Sequence, residues 1–250
     1  PFYQGDTGSI YTHDVSGTDS TATSNTAFGI TAMDAVTTGD NNVAVGTSAL
    51  GAMTGGAKNT AIGTAVLQST TTQSNNTAVG YNSLSGGSNE AAGNTAVGSE
   101  TMIATTTGAD NVAVGKDALT ANTTGGNNTS VGESSMKANT TGSNSTAVGN
   151  DALLAATTGT SNTALGKAAL AAVTTTSNST AIGYGALTAN TAAANTALGY
   201  NAAAANTSGV RNLAIGYTAY DGSDTENDNL AIGYQAMTTN TAGGTRNVAI

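Results

Sequence analysis

The hexapeptide NSTAVG at residues 144–149 returns almost unchanged as NSTAIG at 178–183. Related phrases with the pattern Asn-x-Ala-apolar-Gly run along nearly the whole chain. Their closing glycines are Gly29, Gly46, Gly63, Gly80, Gly98, Gly115, Gly132, Gly149, Gly166, Gly183, Gly199, Gly216 and Gly233. Counted along the chain, ten of the twelve spacings between them are 17, one is 18 and one is 16. A fixed short period is the signature of a repeat protein, so the sequence predicts a stack of similar units.

Composition excludes several classes of protein. The 250 residues include 33 Gly, one Pro, no Cys and no Trp, and only 8% are charged, whereas ordinary soluble domains carry about 25% charged residues. The hydrophobic residues make up 38% of the chain and recur at fixed positions, which argues against disorder. The net charge of −9 disfavours nucleic acid as a partner, because phosphate binding needs clustered cations. The sequence lacks the long apolar run that a membrane-spanning helix needs, so we expect no membrane insertion of this segment.

The repeat reads as two short apolar segments separated by turn-forming Gly, Asn, Thr and Ser. An aliphatic or aromatic residue precedes each closing glycine, and a Leu or Met stands four residues after most of them. The repeat is too short for the usual helical repeats, and the helical 3.6-residue pattern is absent. The sequence therefore predicts an all-β fold, a parallel β-solenoid of about 13 coils with two extended segments in each coil. We expect this repeat domain to span 25–250 and to continue beyond 250, after a non-repeating cap or connector at 1–24.

A single thin coil buries few apolar side chains, so stacking of coils is obligatory. The first extended segment has small or apolar side chains on both faces, with Ala on one and Val, Ile or Leu on the other. Parallel strands of this kind need cover on both sides. The simplest cover is a second copy of the same chain, so self-association is expected.

The phrases NSTAVG (144–149), NSTAIG (178–183), RNLAIG (211–216) and RNVAI (246–250) resemble the head-repeat motif N-S-V-A-I-G of YadA-like trimeric autotransporter adhesins. The resemblance covers about 25–250. It implies a left-handed β-roll in which three chains pack side by side as a homotrimer. The period of 17 is longer than is usual in that family, and the long, Thr-rich repeat is also similar to segments of phage tail-fibre proteins.

The resemblance also implies a role for two side chains in each repeat. The Val and Ile of the family motif fill the core, and they match Thr146 with Val148 and Thr180 with Ile182 here. This chain departs from the motif in that Thr commonly replaces the first Val.

The residue that follows each closing glycine varies along the chain. Lys116, Glu133 and Lys167 stand at this position in three repeats, which indicates an exposed column. In the last four repeats the position is tyrosine, which gives a candidate surface-binding ladder of Tyr184, Tyr200, Tyr217 and Tyr234. Aromatic rows bind sugars or a partner surface. The alternative is that the stacked tyrosines only stabilise the packing of one coil on the next.

Two other features have weaker functional interpretations. The acidic segment with Asp221, Asp224, Glu226 and Asp228 offers oxygen ligands for Ca²⁺, but it lacks an EF-hand pattern, and a solvated loop is favoured. His13 lies in the non-repeating segment with no identifiable nucleophile or acid beside it. No catalytic residue, metal or cofactor is therefore predicted, and the chain is not expected to be an enzyme.

Thr-rich repeats raise two further possibilities. The segments NTT at 122–124 and 139–141 match the N-glycosylation pattern, but such matches arise by chance in Asn- and Thr-rich sequence. Ice binding needs flat, paired Thr arrays, whereas the strand here presents Thr-Ala-Val. The Thr pairs Thr123–Thr124, Thr140–Thr141 and Thr157–Thr158 fall in predicted loops.

These features together predict an extracellular structural or adhesive fibre segment. We expect a phage tail or receptor-binding fibre shaft that spaces and presents a host-binding surface. The alternative is the head of a bacterial trimeric surface adhesin, and an ice-binding solenoid is a remote third. The expected partners are two further copies of the chain and a host or cell-surface glycan or protein.

Overall fold

The computed structural model describes residues 3–4, 10–11, 21–86, 91–222, 225–238 and 244–250. These residues form an all-β parallel solenoid of about 13 coils with a 17-residue period, which confirms the predicted fold class. The chain divides into two compact units, 1–126 and 127–250. Among the described residues, none belongs to a helix long and apolar enough to span a membrane.

The first unit carries eight short strands that form one sheet. The strands are β1 (Tyr3–Gln4), β2 (Ile10–Tyr11), β3 (Thr26–Phe28), β4 (Val43–Val45), β5 (Thr60–Ile62), β6 (Thr77–Val79), β7 (Thr95–Val97) and β8 (Val112–Val114). β1 pairs antiparallel with β2, and each later strand pairs in parallel with the next. The one longer repeat keeps the register, because Thr77 still lies opposite Thr95.

The second unit repeats the same arrangement with a sheet of eight parallel strands. They are β9 (Thr129–Val131), β10 (Thr146–Val148), β11 (Thr163–Leu165), β12 (Thr180–Ile182), β13 (Thr196–Leu198), β14 (Leu213–Ile215), β15 (Leu230–Ile232) and β16 (Val248–Ala249). The register places equivalent residues on top of each other, as Ala147 lies opposite Ala164. The one shorter repeat also keeps it, with Ala181 opposite Ala197. The differences in length are therefore absorbed outside the strands.

Each coil has one strand, so the prediction of two extended segments per repeat is wrong. The second apolar segment, after the closing glycine, folds as successive turns. In the coil that begins at Asn144, three residues adopt a left-handed backbone: Asn144 (φ 59°), Asp151 (φ 58°) and Leu153 (φ 52°). Left-handed leucine is costly, but the sharp turns close the coil within a single repeat. They also aim N–H groups at the neighbouring coils, as in the bond from Leu153 N–H to the Ala169 carbonyl oxygen (3.0 Å).

The interior of each coil is narrow and is filled by few side chains. The middle residue of the strand, such as Ala147, is fully buried, and so are Ala152 and Leu153 from the turn segment. Tyr220 takes the leucine position in its coil and is also fully buried. Its hydroxyl donates to the Glu226 carbonyl oxygen (3.1 Å) and accepts from the Asn229 side-chain amide (2.8 Å), so the larger side chain leaves no unpaired polar atom.

A buried asparagine before most of the strands links neighbouring coils and closes its own coil. We call this column the asparagine ladder: Asn25, Asn42, Asn59, Asn76, Asn94 and Asn111 in the first unit, and Asn128, Asn162, Asn195, Asn212 and Asn229 in the second. Asn42 shows the pattern. Its Oδ1 accepts from the backbone N–H of Asn59 (2.9 Å), and its Nδ2 donates to the Gly56 carbonyl oxygen at the end of its own coil (2.8 Å).

NSTAVG is one of two phrases in which serine replaces the asparagine of the ladder. Ser145 and Ser179 occupy the ladder position in their coils. The Ser145 hydroxyl accepts from the Asn162 backbone N–H at 3.2 Å, longer than the 2.9 Å of an asparagine rung. The asparagine of the phrase, Asn144, is instead the exposed left-handed residue before it.

The closing glycine is required by the closeness of the next coil. Gly149 has φ +136°, and a Cβ added there would lie 2.6 Å from the carbonyl carbon of Gly166. No L side chain fits this backbone and this spacing. The invariance of the glycine along the repeat therefore has a local steric cause.

Candidate functional site

The outer face of the strands carries rows of exposed and half-buried uncharged side chains in each unit, many of them aliphatic. Two columns of side chains point away from the interior, one from the first and one from the third strand residue. Thr146 is exposed and Val148 is half-buried, and their equivalents along the sheet are likewise exposed or half-buried. Leu165 and Leu198 remain 46% and 45% exposed. Contiguous apolar surface of this kind marks an interaction site.

This arrangement differs from the core assignment implied by the family resemblance. Thr146 with Val148, and Thr180 with Ile182, lie outside the interior of the single chain, which is lined by Ala and Leu instead. The reason is the two-residue period of a strand: when the central alanine points inward, both of its neighbours point outward.

The tyrosine ladder, formed by Tyr184, Tyr200, Tyr217 and Tyr234, lies in the second unit and is exposed. Successive ring centroids are 5.2, 5.1 and 5.5 Å apart, and the ring planes differ by 8°, 9° and 15°. The side chains are nevertheless 45–73% exposed. The structure thus brings all four candidate residues together as a continuous stack.

Stacking determines which atoms of the ladder remain available. The two inner rings, Tyr200 and Tyr217, have a neighbouring ring on each side, so their faces are covered within the ladder. Their edges and phenol hydroxyls remain at the surface. Within the described part of the chain, none of the four phenol oxygens is engaged in a hydrogen bond. The ladder therefore offers hydroxyl groups and ring edges to a ligand.

One residue of the acidic segment, Asp228, forms an ion pair with Arg211. Arg211 donates from Nε to Asp228 Oδ1 (2.6 Å) and from Nη2 to Oδ2 (2.9 Å), which links two coils. The side-chain hydrogen bond from Arg211 lowers the pKa of Asp228, and the same bond raises the pKa of Arg211. Glu226 is buried, and Asp224 lies outside the described residues. The described residues contain no group of three or more acidic, His or Cys side chains placed to hold a metal ion.

His13 and the asparagines of the NTT segments are the remaining candidates from the sequence. His13 lies outside the described residues. Asn122 and Asn139, which match the glycosylation pattern, are fully buried, and each donates from Nδ2 to a carbonyl oxygen in its own turn. A glycan cannot be attached to these two side chains in the folded chain.

The Thr pairs lie in turns, as predicted, and in two of them the hydroxyl of the first threonine is used internally. Thr140 Oγ1 donates to the Thr157 carbonyl oxygen (3.0 Å), and Thr157 Oγ1 donates to the Thr174 carbonyl oxygen (3.1 Å). The Thr residues that are exposed on the strands alternate with Val, Ile or Leu instead of with Thr. The strand positions therefore form no paired Thr array.

A shallow depression in the first unit was not foreseen from the sequence. It has a volume of about 230 Å³ and is lined by Thr31, Asp34, Ser48, Gly51, Ala52 and Gln68. Gly51 leaves a gap in a column that Asp34 and Gln68 occupy in the adjacent coils. The lining has one carboxylate and no imidazole or amine, so it lacks an acid–base or nucleophile pair.

The tyrosine ladder and the outer strand face are thus the candidate interaction surfaces that the described residues form. Comparison of the chain with known protein families, with curated proteins and with solved structures found no match.

Proposed function

We propose that this chain is a structural and adhesive segment of an extracellular fibre. In this proposal three copies associate side by side as left-handed β-rolls, and the assembly spaces and presents a binding surface. The segment acts through shape and surface and has no catalytic role, cofactor or nucleic-acid partner.

The observation that supports self-association is the apolar outer strand face. A chain with a narrow interior gains stability when this face is covered. A second copy is the occupant that fits best, because the repeating columns of Val, Ile and Leu on one chain match identical columns at the same spacing on another. Small or aliphatic side chains without charge dominate both columns, as in Thr146 and Val148.

The observation that supports a spacer role is the uniformity of the coils. Each one repeats the strand, the buried alanine or serine at its centre, the ladder position and the closing glycine. Such a stack gains length by adding coils, without a new core. The variable residues are on the surface, where recognition does not disturb the interior.

A phage tail or receptor-binding fibre is the setting we favour, on the long, Thr-rich form of the repeat. The head of a bacterial trimeric surface adhesin is the alternative. Sequence beyond the present chain separates the two: a virion-attachment domain indicates the first, and a coiled-coil stalk with a membrane anchor indicates the second. Ice binding is a remote alternative, and thermal hysteresis in a solution of the folded protein is its test.

Sedimentation equilibrium tests the assembly. The expected mass is three times the 24.1 kDa of one chain. Val148→Lys places a charge on the outer strand face and is expected to shift the mass towards that of one chain. Thr158→Lys, on an exposed turn, is the matched control and should leave the mass unchanged. A folded wild-type protein with the mass of a single chain refutes the trimer.

A further inference from the structure

We infer that the tyrosine ladder is a binding site for a neutral, extended, β-1,4-linked hexopyranose chain that runs along the stacking direction of the coils. Each phenol hydroxyl hydrogen-bonds one sugar residue. This inference rests on the proposed function, in which the assembly presents a binding surface, and it specifies the ligand class.

The fold itself does not require the tyrosines. In the preceding coils of the same unit, Glu133, Asn150 and Lys167 occupy the equivalent position, and those coils pair their strands in the same register. A run of four aromatic side chains with 45–73% exposure is therefore an addition to a coil that folds without it. Exposed aromatic clusters of this size are typical of recognition surfaces.

The ladder is ordered before any ligand arrives. Each ring is held by its neighbours at 5.1–5.5 Å in nearly parallel planes. Side chains already fixed in one arrangement lose little conformational entropy on binding. This favours a ligand whose own groups repeat at the same interval.

The spacing selects the ligand. The four rings form a row with centroid steps of 5.1–5.5 Å, set by the coil spacing of the sheet. Successive residues of an extended β-1,4-linked hexose chain advance by a closely similar length, so one sugar lies beside each ring, and alternate sugars present opposite edges to the ladder. An α-1,4-linked chain coils and loses this match after one or two residues.

The polar groups next to the ladder favour a ligand without charge. One residue after each tyrosine stand Gly185, Asn201, Thr218 and Gln235, and none of these is ionisable. Lys167, one coil before Tyr184 in the same column, is a single cation at one end of the ladder. Hydroxyl and amide groups suit the O–H groups of a neutral sugar, whereas a sulfated or phosphorylated chain needs a cation for each charged group.

The mode of contact follows from the stacking. Sugars often lie flat on an aromatic face, but the faces of the two inner rings are covered by their neighbours. Recognition therefore depends on the phenol hydroxyls, each of which donates one hydrogen bond and accepts others. Phenylalanine at these positions would keep the stacked rings but lose the hydrogen bonds to the sugar, so its affinity is expected to be lower.

Isothermal titration with cellohexaose, chitohexaose and maltohexaose tests the inference on the full chain. Wild type is expected to bind at least one of the two β-1,4-linked hexaoses with a dissociation constant below about 1 mM. The quadruple variant with Tyr184, Tyr200, Tyr217 and Tyr234 changed to Phe keeps the stack and should lose at least about tenfold in affinity. Tyr81→Phe, at an isolated exposed tyrosine in the first unit, should bind as wild type does.

The titration can fail independently of the proposed trimeric fibre. A trimer that binds neither β-1,4-linked hexaose overturns the inference and leaves the fibre intact. A quadruple Phe variant that is folded by circular dichroism and binds as wild type does also overturns it, as does equal affinity for maltohexaose. Binding by a protein with the mass of a single chain supports the inference and refutes the trimer alone.

Discussion

Replacement of Asn42 by alanine tests the role of the asparagine ladder. The Asn42 side chain is fully buried and takes part in several hydrogen bonds. Its Nδ2 donates to Asn25 Oδ1 (3.1 Å) and to the Gly56 carbonyl oxygen (2.8 Å). Its Oδ1 accepts from the backbone N–H (2.9 Å) and the side-chain amide (3.2 Å) of Asn59.

The loss of stability in Asn42→Ala depends on which buried groups are left without a hydrogen bond. Asn25 Oδ1 keeps the Asn42 backbone N–H, and the Asn59 amide keeps the Gln73 carbonyl oxygen. The Gly56 carbonyl and the Asn59 backbone N–H lose the partner that Asn42 supplies. An unsatisfied buried group costs about 1–3 kcal/mol, so Asn42→Ala is expected to lower the free energy of unfolding by about 2–6 kcal/mol.

A serine variant distinguishes the contribution of the bond to the Asn59 N–H from that of the bond to the Gly56 carbonyl oxygen. Asn42→Ser keeps a hydroxyl that can accept from the next backbone N–H, as Ser145 does at 3.2 Å, but it is too short to reach Gly56 in the same way. The expected loss is smaller than that of the alanine variant. The reverse change, Ser145→Asn, restores a rung and is expected to add about 0.5–1.5 kcal/mol.

Urea unfolding followed by circular dichroism measures these differences. All variants are compared at one protein concentration, because association makes the apparent stability concentration-dependent. A loss below about 0.5 kcal/mol for Asn42→Ala, which is the range of ordinary surface substitutions, would refute the argument that the ladder closes the coils.

Three further changes have expected outcomes. Gly149→Ala places a Cβ 2.6 Å from the carbonyl carbon of Gly166 at φ +136°, and it should cost more than about 3 kcal/mol in the same unfolding assay; a wild-type midpoint would contradict the steric argument. Leu153→Ala empties a fully buried position and should cost about 2–5 kcal/mol, a prediction that fails if the midpoint is unchanged. Because the hydrogen bond from Arg211 lowers the pKa of Asp228, the ion pair stabilises the fold at neutral pH, and this contribution is lost as the pH falls through the lowered pKa. Asp228→Asn should remove that part of the acid sensitivity of the thermal midpoint, and an identical pH profile for variant and wild type would exclude it.

The repeat in the sequence was sufficient to predict the solenoid. A fixed period with an invariant glycine and a small residue two positions before it permits few folds, because every coil must meet the same steric conditions as its neighbours. The exposed column after the glycine was also predictable, since Lys116 and Glu133 stand in it. The sequence placed the four tyrosines in that column, and their stacking followed from the coil spacing.

The path of the chain within a coil was not predictable in the same way. The apolar pattern around Leu153 suggested a second strand, but the backbone there is left-handed, a conformation that leucine alone disfavours. Hydrogen bonds to the neighbouring coils, such as that to Ala169, offset the local cost. These bonds exist only in the assembled stack, so local propensity could not reveal them.

By itself, therefore, the sequence determined the period, the all-β class and the columns in which residues recur, because periodicity fixes which residues lie above one another. Only the tertiary structure decided which of these columns face the interior of the coil. It turned Ala147 inward and Val148 outward, and it buried the asparagines that a polar composition suggests are exposed. The physical reason is hydrogen bonding: the asparagine amide satisfies both a turn carbonyl and the next coil's N–H, and no aliphatic side chain at that position can do so.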